Sequence, residues 1–275
     1  MSRAKTQPAD TQHALSKMIS AFGYSHSTWE TFADFVELGA CAISNAVDWP
    51  QREKREAQYM AIIKKYTPEE AAEFPKMFGT LTMALESATE KGGEVSRPLC
   101  DSPDVLGFTY HELELHNKWA GQYFTPFNIC SMMAQMTMGD KETLEAKIAA
   151  DGFIRLSEPA CGSGAMVIAF ALAMRDAGVN YQQTLHVTAT DVDLKCVCMT
   201  YLQLSLLHIP AVVIRANTLS AHPFGESEED RWYTPAHIMG GWDWRLRRGR
   251  RSEAIKQPAA PALPEIPSGA QLTLF

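Results

Sequence analysis

The seven residues Glu158-Pro159-Ala160-Cys161-Gly162-Ser163-Gly164 constrain the fold of this chain more than any other stretch. Before them, Phe153-Ile154-Arg155-Leu156 reads as a strand. After them, Ala165 to Ala177 reads as a helix stopped by Gly178. Two glycines in a strand-to-helix turn let the backbone approach a ligand closely, and the next helix offers unpaired N–H groups at its start. The pattern then repeats: Leu185 to Ala189 is a second strand ending at Asp191, Asp193 to Leu207 a helix stopped by Ile209-Pro210, and Ala211 to Ile214 a third strand. Strands alternating with helices of this length predict an α/β fold, βαβαβ with parallel pairing. A nicotinamide fingerprint would need a third glycine where Val167 stands. Asp191, at the end of the second strand, is where a carboxylate can hold the ribose hydroxyls of a nucleoside cofactor. The plainer alternative is a tight turn with a capping aspartate.

Upstream, the text is helical from Ala14 to about Ser87. Leu15, Met18, Ile19 and Phe22 recur at helical spacing, as do Trp29, Phe32, Phe35 and Val36. Thr67-Pro68-Glu69-Glu70 is a capped helix start, and residues 1–13 are polar and expected to fray. Glu90 to Pro103 is a polar separator, and from Gln257 prolines among alanines form a semi-extended tether. The expected organisation is a helical N-terminal region over 1–103, an α/β domain over 104–256 and a proline-rich tail over 257–275. With 46% apolar residues a sizeable core is within reach, and a net charge of -7 excludes non-specific coating of nucleic acid. The cysteines at 41, 100, 130, 161, 196 and 198 form no CxxC pair and read as reduced thiols of a cytoplasmic protein, with no metal. The N-terminus lacks an apolar signal core, and the longest apolar run, Ala165 to Met174, is too short to span a membrane. A soluble protein with no membrane partner is expected.

Gly121-Gln122-Tyr123-Phe124-Thr125-Pro126, followed by the Glu158 to Gly164 turn, resembles the GQFFTP and DPxCGSG motifs of N6-adenine DNA methylases. By this pattern the methylation subunits of type I restriction–modification systems are the most similar members, and their helical N-terminal region is similar too. Asp104-Val105-Leu106-Gly107 also fits, so the resemblance runs from about Asp104 to Leu219. It implies a Rossmann-like methyltransferase sheet and S-adenosylmethionine as cofactor. It also implies contacts from Tyr123, Phe124 and Thr125 to the methionine end. Glu158, Pro159, Ala160, Cys161, Gly162, Ser163 and Gly164 would cradle the carboxylate and amino group, and Asp191 would bind the ribose. Glu158 stands where the family has aspartate, with the charge kept.

Such enzymes attack the sulfonium methyl group with the adenine N6 nitrogen, whose lone pair is delocalised. The family's Asn/Asp-Pro-Pro-Tyr/Phe motif accepts the N6 hydrogens and stacks on the flipped base. No such string occurs here. Ala221-His222-Pro223-Phe224 keeps the proline and the aromatic but has alanine at the acceptor position, and Asn217 replaces the aspartate of a GDTL-like segment. Asn217, Pro223 and Phe224 are therefore degenerate catalytic candidates, and the sheet is expected to be shortened. A site-specific adenine methyltransferase of a restriction system is one reading. A non-catalytic S-adenosylmethionine- or DNA-binding accessory is the other. A specificity subunit or completing methylase subunit is a candidate partner.

Trp232, Tyr233, Trp242 and Trp244 surround Arg245, Arg247, Arg248, Arg250 and Arg251, a composition suited to phosphate contact and base stacking in DNA. The competing reading is tryptophans closing the core beside a solvated end. The terminal Gln271-Leu272-Thr273-Leu274-Phe275 resembles the QLxLF peptide that docks on the β sliding clamp, with Gln271, Leu272, Leu274 and Phe275 as the contacts. The histidines of His111-Glu112-Leu113-Glu114-Leu115-His116 are five apart, so this is not HExxH and reads as helix surface. Met132, Met133, Met136 and Met138 read as core filling on a helix.

Overall fold

The structure, a computed structural model, describes residues 8–89, 102–115, 124–220, 227 and 230–248. The N-terminal part is helical: α1 (Pro8–Ser20), α2 (Thr28–Val47), α3 (Arg52–Ile63), α4 (Pro68–Ala71) and α5 (Glu73–Thr89). There follow α6 (Val105–Glu112), α7 (Phe127–Met138), α8 (Lys141–Asp151), β1 (Ile154–Glu158), α9 (Ala165–Asp176), α10 (Tyr181–Thr184) and β2 (Leu185–Asp191). The order ends with α11 (Leu194–Leu206), β3 (Ala211–Arg215), β4 (Arg231–Tyr233) and α12 (Pro235–Met239), and residues 242–248 are again helical.

Local chemistry sets these boundaries. Ser27 caps α2 by accepting the Glu30 N–H, and Thr67 with Glu70 forms a reciprocal capping box on α4. Asp140 caps α8, which ends at Gly152 with φ +82°; Asp193 caps α11. Each cap satisfies an otherwise orphaned N–H and is worth about 1 kcal/mol. Gly178, with φ +83°, terminates α9 as expected. The described part of α1 already includes Pro8, six residues before the apolar periodicity at Ala14 becomes visible. Proline suits the first turn of a helix, where its missing N–H has no intrahelical partner.

The four strands lie in the order β1-β2-β3-β4. The first three are parallel, with Leu156 opposite Val187 and Ala189 opposite Val213. Both crossovers step in the same direction, so right-handed connections carry α9 and α11 over one face. That face is apolar: Val187, Ala189, Ala211 and Val213 are fully buried. Alternation puts Arg155, Ser157 and Thr188 on the opposite face, where Arg155 and Ser157 are exposed and Thr188 half-buried. Near the start of β2, Trp242 and His237 cover His186 on that face. A single core joins the helical region to the sheet. At its centre α2 meets α11 so closely that a Cβ on Gly39 would stand 3.0 Å from Leu202.

Three expectations change. The segment after β3 does return to the sheet, but as β4 antiparallel to β3, with Trp232 opposite Val213. Among the described residues nothing pairs with the outer edge of β1. Trp29 is 52% exposed rather than core, because its ring lies beside the Lys195 ammonium at the end of α2. The methionines of α7 are not core filling: Cys130 and Ala134 make its buried side, whereas Met132, Met133 and Met136 face outward and only Met138 packs inward.

Candidate cofactor site

The glycine turn sits at the C-terminal end of β1, between the sheet and α9. Gly162 and Gly164 have φ +54° and +94°, left-handed conformations that side chains resist. Space forbids substitution too: a Cβ on Gly162 would lie 3.0 Å from the Phe124 ring, and one on Gly164 would lie 3.3 Å from Thr200 Oγ1. The turn is closed by Gly164 N–H donating to Cys161 O at 2.7 Å and is fastened to β2 by Cys161 N–H donating to Thr190 O at 2.9 Å. Thr200, from α11, donates to Gly162 O at 3.0 Å. No side chain caps α9, so its first amides have no local acceptor.

Asp191 lies where the sequence puts it, at the end of β2 and half-buried. Its Oδ2 accepts the Gly162 N–H at 2.9 Å and its Oδ1 accepts the Asp193 N–H at 3.0 Å. The carboxylate is thereby held rigidly against the turn while each oxygen keeps a second lone pair for an incoming hydroxyl. Glu158 accepts the Ala160 N–H at 3.1 Å. Burial, and then the neighbouring Asp191 charge, push its carboxyl above the ordinary range. Two carboxylates at one mouth favour a cation there. Cys161 is buried, and desolvation raises its thiol, so it is not a nucleophile.

The second wall is Phe124, buried against Tyr110 at 4.8 Å between ring centroids and His111 at 5.8 Å. Thr125 is exposed beside it, and Tyr123 lies outside the described residues. Beyond β3, Thr218 Oγ1 donates to Pro159 O at 3.2 Å, so the 217–219 loop reaches back to the glycine turn. Val192 and Leu219 follow the ends of β2 and β3 and are 62% and 95% exposed. Asn217 is exposed, and its Oδ1 accepts the Leu219 N–H at 3.0 Å, an arrangement that shapes the loop. Pro223 and Phe224 lie outside the described residues.

Beneath the turn is a buried polar network that the spacing of motifs does not reveal. Asp104, fully buried, accepts from Gly107 N–H at 3.0 Å, Gln203 Nε2 at 2.8 Å and Ser163 Oγ at 2.5 Å. Gln203 Nε2 also reaches Ser163 O at 2.8 Å, and its Oε1 accepts the Leu106 N–H at 3.1 Å. Thr200 and Gln203 do leave a trace in the sequence: they are polar and three apart within the mostly apolar stretch from Cys196 to Leu204.

The basic–aromatic segment lies elsewhere. Trp232 and Trp242 are buried, and Arg245 stacks on Trp242 at 3.7 Å and donates to Gln183 O at 2.9 Å. Gln183 precedes β2, whose other end, Asp191, bonds the glycine turn, so this end of the sheet is opposite the turn, about 20 Å away along the strand at ~3.3 Å per residue. Arg247, Arg248 and Trp244 are exposed there, while Arg250 and Arg251 and the terminal Gln271, Leu272, Leu274 and Phe275 lie outside the described residues. No group of metal-ligating side chains occurs among the described residues, and no described helix is long and apolar enough to cross a membrane.

The fold and the turn define a Rossmann-like nucleoside-cofactor domain. Residues 102–237, just under half of the chain, match the N-6 DNA Methylase family, and the cofactor this match implies is S-adenosylmethionine. The site's own chemistry fits: carboxylates for a cation and for hydroxyls, and a glycine cradle that any Cβ would fill. Two solved structures are similar. One, from Listeria monocytogenes, is described as a class I S-adenosylmethionine-dependent methyltransferase, with 15% identity and a TM-score of 0.35 over 77% of this chain and 55% of that one. The other is a type I restriction-modification system methyltransferase subunit from Streptococcus thermophilus, with 13% identity and a TM-score of 0.39 over 81% and 61%. The chain thus spans less than two thirds of the length of either. No curated protein matches it significantly.

Proposed function

We propose that this chain is an S-adenosylmethionine-dependent DNA adenine-N6 methyltransferase of the restriction–modification type. The observation that carries this reading is the Asp191–Gly162 bond, which joins the ribose-binding carboxylate to the glycine turn inside the segment matching N-6 DNA methylases. The bound cofactor would supply a methyl group on a cationic sulfur. Asp191 would hold the ribose hydroxyls, and the first amides of α9 with the 158–164 turn the methionine carboxylate and amino group. Val192 and Leu219, exposed beside one another's strands, suit the two sides of an adenine ring. Phe124 and Thr125 would close the methionine end.

A second reading is favoured by a specific observation. In doubly wound sheets the binding crevice forms where strand order reverses, which would require a strand beside β1. Here the chain returns after β3 as antiparallel β4 on the far side. A cofactor- and DNA-binding accessory, or a protein completed by another methylase subunit, would need no such strand of its own. Arg247 and Arg248 suit DNA phosphates in either case, at the end of the sheet remote from the methyl donor. The terminal QLTLF peptide suits the β sliding clamp and would raise local concentration on DNA without intrinsic affinity.

Expression in a bacterial host devoid of adenine methylation, with genome-wide detection of N6-methyladenine, decides between them. Methylation at a defined sequence is the expected result. Binding of S-adenosylmethionine by the purified protein without methylation supports the accessory instead, and no binding at all removes both.

A further inference from the structure

We propose that Asp104, acting with Gln203, is a positioning residue that sets the spacing between the two walls of the cofactor site. The inference rests on the cofactor reading above. One wall is the 158–164 turn and the other is Phe124, and the chain offers no short covalent path between them. Among the described residues, the buried Asp104 carboxylate and the Gln203 amide bond both the turn and α6, the helix that bears on Phe124. The carboxylate accepts the Ser163 hydroxyl from the turn, and through the Gly107 N–H it fixes the first turn of α6. From that helix Tyr110 and His111 bear on Phe124, which in turn closes over Gly162. Gln203 locks the arrangement by donating to both Asp104 and Ser163 O while accepting the Leu106 N–H. The fit admits no slack: a Cβ on Gly107 would stand 2.0 Å from Asp104 Oδ2 and 2.8 Å from Ser163 Oγ.

A carboxylate sealed from water carries a desolvation cost that an apolar residue at this position would not. Holding a cap alone does not require it, since an exposed Asp or Ser does so at other helices of this chain. Its burial at the meeting point of α6, α11 and the turn is accounted for by the alignment of two ligand-binding segments. Asp104 touches no substrate or cofactor atom; it acts through Ser163 and α6.

The test compares Asp104→Ala, Asp104→Asn and Gln203→Leu in the full chain. His237→Ala, buried at the opposite end of the sheet, is the control for general destabilisation. Two readouts are taken: calorimetric affinity for S-adenosylmethionine, and hydrogen exchange of the 158–164 amides without ligand. Asp104→Ala and Gln203→Leu are expected to weaken binding at least tenfold and to speed exchange in the turn selectively. Asp104→Asn, which keeps the shape and the acceptor for Gly107 and Gln203, should restore both to within about threefold. His237→Ala should lower the melting temperature and leave both unchanged. Wild-type affinity and exchange in a folded Asp104→Ala protein, or equal effects from His237→Ala, overturn the proposal. If the wild type binds no S-adenosylmethionine the cofactor reading fails, and exchange alone then decides: selective loosening of the turn supports the spacing role, and its absence refutes it.

Discussion

At the scale of single residues, Asp191 has two tasks that substitution can separate. Its oxygens accept the Gly162 and Asp193 amides, and each has acceptor capacity left for a ligand hydroxyl. Asp191→Ala removes both functions and should weaken S-adenosylmethionine binding by more than tenfold, whereas Asp191→Asn keeps one acceptor oxygen and should lose less. Unchanged calorimetric affinity in the alanine variant would refute the ribose assignment. Asp191 and the glycines were legible because their constraint is local: a positive φ and a strand end announce themselves in a few consecutive letters. Asp104 was legible only as part of a resemblance. Its partners Ser163 and Gln203 lie 59 and 99 residues away, and no spacing rule links positions so far apart.

At the scale of elements, the three parallel strands and two crossover helices follow from the alternation of apolar runs, and their ends fall within two residues of expectation. The antiparallel β4 was not legible. Arg231-Trp232-Tyr233 is too short to show alternation, and its pairing is decided by Trp232 packing over Tyr201 and by Arg55 stacking on it from α3 at 3.3 Å. The element that follows brings a pH response. His186 Nε2 and His237 Nδ1 are hydrogen-bonded at 2.9 Å, and His237 Nε2 meets Asp243 at 3.2 Å. Burial first, then the charges of His237, Arg155 and Arg245, hold the His186 imidazole down to about 3; burial lowers His237 as well. From about pH 6.5 down to that value the unfolded chain binds a proton that the folded chain refuses. Stability is therefore present above this window and falls as pH drops through it, by up to ~1.4 kcal/mol per pH unit for His186, with His237 acting in the same direction. Melting temperatures between pH 7 and 4 should decline less steeply in His186→Gln, and an unaltered slope would exclude this cluster as the cause.

At the scale of the whole molecule, the glycine turn and the exposed arginines occupy opposite ends of the sheet. Under the proposed function, DNA held at Arg247 and Arg248 would not by that contact bring a base to the methyl donor, and recruitment and chemistry would fall to different surfaces. The proline-rich tail suits recruitment. Deleting residues 271–275 should abolish binding to a purified β sliding clamp in a pull-down and leave cofactor affinity unchanged. Retained clamp binding by the truncated chain would end the tether hypothesis. On the face opposite α9 and α11, Arg155 and Ser157 of β1 are exposed, and α12 and the 242–248 helix cover His186 at the start of β2.

The seat of α2 against α11 bears on how the chain acquires its shape. Phe32, Phe35 and Val36 are buried at the start of the chain, yet the helix they belong to meets its partner more than 150 residues later. Loop-closure entropy across such a separation slows that encounter. A ribosome adding about 5–20 residues per second leaves α2 without α11 for roughly ten seconds or longer. During synthesis the early helices must shelter that apolar stripe among themselves, through α3 and α5, or depend on a chaperone until the second half emerges.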